Sequence, residues 1–301
     1  MNFILGSGVV GLIAKELFPD YVLVPFKKSR YYHFEIPLAD NVIKYDKRIN
    51  DFMSGVCPVS TPIIEKQAFS FKGQLIFEDI KDLKELYFKK IYGYDLPSYI
   101  DPLIQITYSR YPFTVQQLHN KLQDKFLDQI NQNVAQYGQL NKIDTQSHTL
   151  SFSKESVQYD NIISTIPLDA LLKLIGMSMD LKSHDVCFYD IIAPKVDLEG
   201  AESCMVVDEE LLFFKVIKIG KSEYVFWTFD KLDQSYEYFG KFLTYNLDMV
   251  EAHRIEKAIP MGLPPDLSVF NNFNIICVGS NAQWDDWMDV TSCIIRLLKI
   301  K

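Results

Sequence analysis

The sequence predicts an α/β protein that pairs a parallel sheet with a second sheet of antiparallel strands. Three observations predict it: a strand, glycine turn and helix in "MNFILGSGVVGLIAKELF", the same order in "NIICVGSNAQWDDWMDVTSCIIRLL", and a block from His184 to Asp230 where apolar and polar residues alternate. Buried strands feeding helices belong to parallel sheets. Alternation at period two belongs to strands with one wet face.

Taken in order, Asn2 to Leu5 reads as a short buried strand, Val9 to Phe18 as a helix stopped by Pro19 and Asp20, and Tyr21 to Val24 as a second strand. The next ninety residues are less regular, and only "EDIKDLKELYFKKIYG" carries helical spacing, closed by Gly93. Thr114 followed by Gln117 is a capping box, and Leu118, Leu122, Phe126 and Ile130 recur every fourth residue, so a helix is expected over Val115 to Asn131. Three strand-like pieces follow, "LNKID", "HTLSFS" and "YDNIISTI", forming a small meander that feeds back into a sheet. Pro167 opens a helix through "PLDALLKLIG". Beyond the alternating block, a helix near Gln234 to Leu247, a strand near Ala252 to Ile259, the strand "NIICVG" and a helix starting near Asp289 complete the chain.

Composition bounds the function. The chain has 301 residues, 48% hydrophobic and 23% charged, enough for one sizeable core with a smaller attached lobe. Its net charge is -8, with five arginines against 26 lysines, which argues against a nucleic-acid partner. The cysteines (Cys57, Cys187, Cys204, Cys277, Cys293) are odd in number and never form CxxC, so they read as reduced core residues rather than a disulfide frame or zinc site. No basic n-region precedes "FIL" and no apolar run is long enough for a membrane span, so a cytoplasmic location is expected.

The first turn, "GSGVVG", fits GxGxxG between a strand and a helix. Gly6 permits the tight turn, Gly8 lets the backbone approach a pyrophosphate, and Gly11 allows the helix to pack closely on the strand. Amides at the helix start then face the anion. The acidic residue expected at the end of the second strand to hold a ribose hydroxyl is missing: Pro25 and Phe26 stand there, followed by Lys27 and Lys28. At the far end, Gly279 and the helix starting near Asp289 offer a second helix N-terminus. Two such ends in one sheet suit an extended cofactor, the diphosphate at one and a ring that gains negative charge on reduction at the other.

In this order the motifs resemble the flavoprotein superfamily of amine oxidases, protoporphyrinogen oxidase and UDP-galactopyranose mutase. "VGSNAQWDDWMDVTSCI" is similar to the family's late strand and helix start at Gly279, Trp284, Met288 and Asp289; "YDNIISTIPLDALLKLIG" resembles its return to the nucleotide-binding sheet through Asp160, Thr165 and Pro167; and "YPFTVQQLHNKL" resembles its entry to a long helix. The resemblance touches residues 1 to 25, 108 to 175 and 250 to 301. It departs from the family pattern at Ser280, where an arginine is usual.

The resemblance implies a Rossmann-like, GR2-type FAD-binding domain made of residues 1–60, 108–170 and 265–301. A substrate domain of α+β type, residues 61–107 and 171–264, is inserted with an antiparallel sheet. It implies FAD as cofactor, held by Gly6, Ser7, Gly8, Val10, Gly11, Thr165, Pro167, Gly279, Ser280, Met288, Asp289 and Val290. Lys215, in "LLFFKVIKIG", resembles the basic residue a substrate-domain strand brings over the flavin, and Trp284 would wall the ring. The implied activity is hydride transfer from a small amine or related metabolite to flavin. The alternatives are a mutase-like, non-redox flavoenzyme acting on a nucleotide sugar, or a flavin-free relative acting as a binding protein. The five histidines are dispersed and read as surface or capped residues. Arg110 and Arg254 read as members of ordinary salt bridges.

Overall fold

The computed structural model describes residues 1–26, 42–57, 61–98, 100–101, 104–192, 197–221, 223–229, 251–261, 264–283 and 289–301. The chain begins β1 (Asn2–Leu5), α1 (Val9–Leu17), β2 (Val22–Val24) and β3 (Val42–Lys44), and a 3-10 turn then runs into α2 (Asn50–Val56). Next come β4 (Ile63–Phe71), β5 (Gln74–Ile76), α3 (Lys81–Tyr92), β6 (Thr107–Thr114) and the long α4 (Val115–Tyr137). A meander of β7 (Leu140–Asp144), β8 (Thr149–Phe152) and β9 (Ser156–Gln158) leads to β10 (Asn161–Ser164) and α5 (Leu168–Ile175). Strands β11 (Lys182–Ile192), β12 (Ser203–Val206), β13 (Phe213–Lys218), β14 (Glu223–Phe229) and β15 (Glu251–Met261) follow. The chain closes with β16 (Ile275–Cys277), the single helical turn α6 (Ser280–Gln283) and α7 (Val290–Ile300).

Four strands, in the order β16, β10, β1, β2, form a parallel sheet. Both faces of it are covered, which is why "NFIL" and "NIIS" read as unbroken apolar runs rather than alternating ones. On one face α1, α4 and α7 pack Leu12, Ile13, Leu118, Leu122 and Ile294 against Ile4 and Ile163. On the other, α5 and the meander bury Phe3, Leu5 and Ile162 beneath Leu168, Leu171 and Phe152. The N-terminal and C-terminal segments thus meet in one sheet, as the paired turns predict.

The second sheet has its path in the order β15, β11, β14, β13, β12, β4, β6, β3, with β5 paired to β4. It is larger than the alternating block alone, because residues 42–44, 63–71, 107–114 and 251–261 join it. It is also mixed: β12 runs parallel to β4, with Met205 opposite Phe69, whereas the neighbouring pairs are antiparallel. One face carries Phe69, Phe188, Ile217 and Val225 under Tyr87 and Phe88 of α3; the other carries Ala68, Cys187, Tyr189 and Cys204.

The last residue of β6, Thr114, is also the cap of α4, where both halves of the expected capping box form: the Thr114 side chain accepts from the Gln117 amide and the Gln117 side chain accepts from the Thr114 amide. The helix continues to Tyr137, six residues past its expected end, because nothing before Gly138 breaks it. "YDNIISTI" differs from expectation in its pairing. The third meander strand is the short Ser156–Gln158, while Asn161–Ser164 enters the parallel sheet between β1 and β16. The helix expected near Gln234 to Leu247 lies outside the described residues. No helix among the described residues is long and apolar enough to cross a membrane, and the five cysteines are buried and unbridged.

Candidate functional site

The four parallel strands end level. Leu5 stands opposite both Ser164 and Val24, and Ser164 opposite Cys277, so the segments that follow them open along one edge of the sheet. The carboxyl edge of such a sheet is where ligands bind. At its centre, the Gly6 amide donates to the Val24 carbonyl at 2.8 Å with φ at +105°, a conformation that favours glycine. A Cβ on Gly6 would meet Thr165 Oγ1 at 2.5 Å. That hydroxyl donates to the Leu5 carbonyl at 2.9 Å, as does the Thr165 amide, also at 2.9 Å, so Thr165 fixes the turn from behind. A Cβ on Gly11 would be driven into the Gly6 carbonyl oxygen. The first turn of α1 therefore lies directly on the strand it follows. Gly8 is its N-cap, no side chain caps it, and the turn holds no acidic residue. Backbone amides at such an end are a seat for an anion.

The second turn lies beside the first. The Val278 amide donates to the Ser164 carbonyl and the Gln283 amide to the Gly279 carbonyl, both at 2.9 Å, so α6 springs from the end of β16. A Cβ on Gly279 would reach Val10 Cγ2 at 3.9 Å, and Val9, Val10 and Val290 pack against one apolar cluster. Ser280 opens α6. Pro167 caps α5, whose Ala170 and Leu171 amides donate to its carbonyl. Trp284 and Met288 lie outside the described residues.

Asp289 caps α7: its Oδ1 accepts from the Ser292 amide at 2.7 Å, and its Oδ2 lies 3.6 Å from Lys44 Nζ. Thr291 Oγ1 donates to the Lys44 carbonyl at 3.0 Å, so β3 of the large sheet is joined to the start of α7 by side chain and backbone. Lys44 and Arg110 are register partners on β3 and β6, and Glu65 and Tyr108 on β4 and β6, which puts all four on one face. Glu65 accepts from Arg110 Nε and, at 2.7 Å, from the Tyr108 hydroxyl. Arg110 also donates to the Tyr111 carbonyl, and Lys44 Nζ lies 5.8 Å from the Tyr108 ring centre. This polar face borders the α7 end of the crevice.

His119, on the inner side of α4, is 4% exposed and sits beside the glycine turn. Burial holds its imidazole below the ordinary histidine pKa, against the opposing effect of hydrogen bonds with the Asn120 side chain and the Ser7 backbone. The surface reading of this histidine is corrected. Its place one residue after Leu118 and four after Val115, on the apolar stripe, is the signal that marks it as buried.

Lys215 stands in the rung Phe69, Met205, Lys215, Trp227, with its Nζ 4.9 Å from the Trp227 ring centre. That rung is two strands and four residues from Glu65, roughly 16 Å by strand geometry, so Lys215 and the Lys44 cluster occupy different parts of the sheet. Arg110 and Arg254 both form ion pairs, Arg110 with Glu65 and Arg254 with Asp185 at 2.8 Å. Lys44, Glu65 and Tyr108 carry no sequence motif. Their strands lie in the irregular stretch, and only pairing with β6 brings them together.

No family model and no curated protein matches the sequence. Solved structures match the fold. A reduced UDP-galactopyranose mutase aligns over 98% of this chain and 91% of its own, with a TM-score of 0.69 at 11% identity. A fatty acid isomerase from P. acnes that produces CLA aligns over 99% and 98%, with a TM-score of 0.61 at 10% identity. Cyclohexylamine oxidase from Brevibacterium oxydans aligns over 99% and 97%, with a TM-score of 0.59 at 9% identity. A mutase and an amine oxidase are the kinds of enzyme whose motifs the two ends of the chain resemble, and the chain has the fold they share.

Proposed function

We propose that the chain is an FAD-dependent oxidoreductase that takes hydride from a small amine or related metabolite. One observation carries the reading: two glycine turns, each leading into a helix, lie side by side at the carboxyl edge of one parallel sheet, with Gly279 in reach of Val10. The residues fit a dinucleotide. Gly6 and Gly11 let the turn close tightly, since a Cβ on either would strike Thr165 or the Gly6 carbonyl, and the uncapped start of α1 presents amides to a diphosphate. The bound flavin would supply a two-electron acceptor for the substrate's hydride.

In this reading Gly6, Ser7, Gly8, Val10 and Gly11 hold the diphosphate, while Thr165 and Pro167 shape the floor of the crevice. Gly279, Ser280, Met288, Asp289 and Val290 meet the ring end. The face bearing Glu65, Tyr108 and Arg110 orients the substrate; Lys215 and Trp284 are the further candidates for substrate contact. We assign residues 1–60, 108–170 and 265–301 to the cofactor domain and 61–107 and 171–264 to the substrate domain. Pro25 and Phe26, in place of a ribose-binding carboxylate, predict a weaker hold on the ribose.

The test is the absorption spectrum of protein purified without added cofactor and then titrated with FAD. Bound flavin that bleaches anaerobically with an amine supports the oxidoreductase. Turnover of a nucleotide sugar, seen only after chemical reduction of the flavin, replaces it with the mutase reading. A colourless protein that FAD neither binds nor stabilises overturns both.

A further inference from the structure

We infer that His119 is a positioning residue for the cofactor: from α4 it holds the Ser7 carbonyl, and so aims the Gly8 amide at the diphosphate. The inference rests on the flavin reading above and adds to it a residue that lies outside the glycine motif. Backbone bonds anchor the glycine turn on both flanks. Before it, the Gly6 amide donates to the Val24 carbonyl at 2.8 Å; after it, the Gly8 carbonyl accepts from the Leu12 amide at 2.9 Å. The peptide joining Ser7 to Gly8 lies between these anchors, and its plane decides which way the Gly8 N–H points.

His119 meets that peptide from the side of α4. Its buried imidazole bonds the Ser7 backbone and the Asn120 side chain. Both neighbours act to raise the pKa of the ring, as acceptors from an imidazole N–H do, so Ser7 contributes its carbonyl. In a trans peptide the carbonyl and the following N–H point in opposite directions. With the Ser7 carbonyl turned to α4, the Gly8 N–H is turned away from it, and it joins the amides at a helix start that no side chain caps. The ring is itself held in place. Thr114 caps α4 just before it, Leu118 and Leu122 share an apolar cluster with Leu12 and Ile13 of α1, and Asn120 Oδ1 also accepts from Gln116 Nε2 at 2.7 Å. Burial favours the neutral imidazole, so His119 supplies a donor without adding charge, and what it gives the site is direction.

The experiment compares wild type with His119→Leu, His119→Asn and His119→Gln. Calorimetric titration of the flavin-free proteins reads FAD affinity, and NMR of protein carrying isotope-labelled glycine reads the Gly8 amide. In wild type the Gly8 amide proton moves downfield as FAD binds, the mark of a bond to a phosphate oxygen. His119→Leu keeps a buried side chain but loses the donor, so FAD binds about tenfold more weakly and the Gly8 shift shrinks. Asparagine and glutamine carry an amide N–H near the places of the two ring nitrogens, and one of these variants restores affinity to within about threefold of wild type. General loosening of α4 would instead weaken all three variants alike, with no rescue. Wild-type affinity in His119→Leu, equal losses in the three variants, or a wild-type Gly8 amide that FAD leaves unmoved overturns the inference while leaving the flavin reading intact; the last of these needs no variant to fold. Failure of wild type to take up FAD overturns both.

Discussion

Replacing Gly11 by alanine places a methyl group where the Gly6 carbonyl oxygen already stands, and neither side of that collision can yield cheaply. The oxygen belongs to a turn held by the Val24 carbonyl and backed by Thr165. The methyl would belong to a helix whose Leu12, Ile13 and Ala14 are fully buried. Carbon and carbonyl oxygen normally stay about 3.3 Å or more apart, so α1 has to withdraw from the strand by more than about 1 Å. Overpacking of this kind costs about 1–3 kcal/mol, and a contact between two backbones belongs at the upper end, ~3 kcal/mol.

With an unfolding entropy of roughly 2.1 cal/mol/K per residue, a loss of ~3 kcal/mol lowers Tm by about 5 °C in a chain of this length. The control is Gly55→Ala in α2, where a Cβ meets nothing within 4 Å; it gains about 0.4–1 kcal/mol from the stiffer unfolded chain. Thermal and urea denaturation of the flavin-free proteins, followed by circular dichroism, reads both. If Gly11→Ala proves as stable as Gly55→Ala, the close approach of α1 to β1 is wrong.

Other perturbations probe the rest of the site. Glu65→Ala strips a buried partner from Arg110 and Tyr108 and costs about 3 kcal/mol in urea denaturation, because a guanidinium only 19% exposed is left uncompensated. Asp289→Ala removes the α7 cap and the partner of Lys44, a loss of about 1 kcal/mol, whereas Asp289→Asn retains most of it. For His119 the folded state favours the neutral ring, so the unfolded chain binds the proton more readily. Stability from this group is full above the ordinary histidine pKa of about 6.5 and declines as pH falls through the lowered folded value. The difference in urea midpoint between wild type and His119→Gln should therefore shrink on moving from pH 7.5 to 5; a constant difference contradicts the buried, neutral assignment.

The parts of the fold that sequence disclosed are those governed by local chemistry. The Thr114–Gln117 box, the glycine closing α3 and the two strand-turn-helix units each depend on neighbours within a few residues. The pairing of Asn161–Ser164 with β1 and β16 instead depends on partners more than a hundred residues away, so its apolar pattern alone could not exclude it from the meander. The same holds for the site. Gly6 and Gly11 announce themselves by spacing, whereas Lys44, Glu65 and Tyr108 carry no motif and acquire meaning only when β3, β4 and β6 align them. His119 falls between these cases: the helical stripe contains it, but only the crossing of α4 over the glycine turn puts it beside Ser7.

Calorimetric titration of the flavin-free protein with FAD, with Gly11→Ala alongside, decides whether the paired glycine turns hold a dinucleotide. Wild type takes up one FAD per chain, its Tm climbs with FAD concentration, and Gly11→Ala binds at least tenfold more weakly. Wild-type protein that releases no heat and keeps the same Tm at saturating FAD would contradict it.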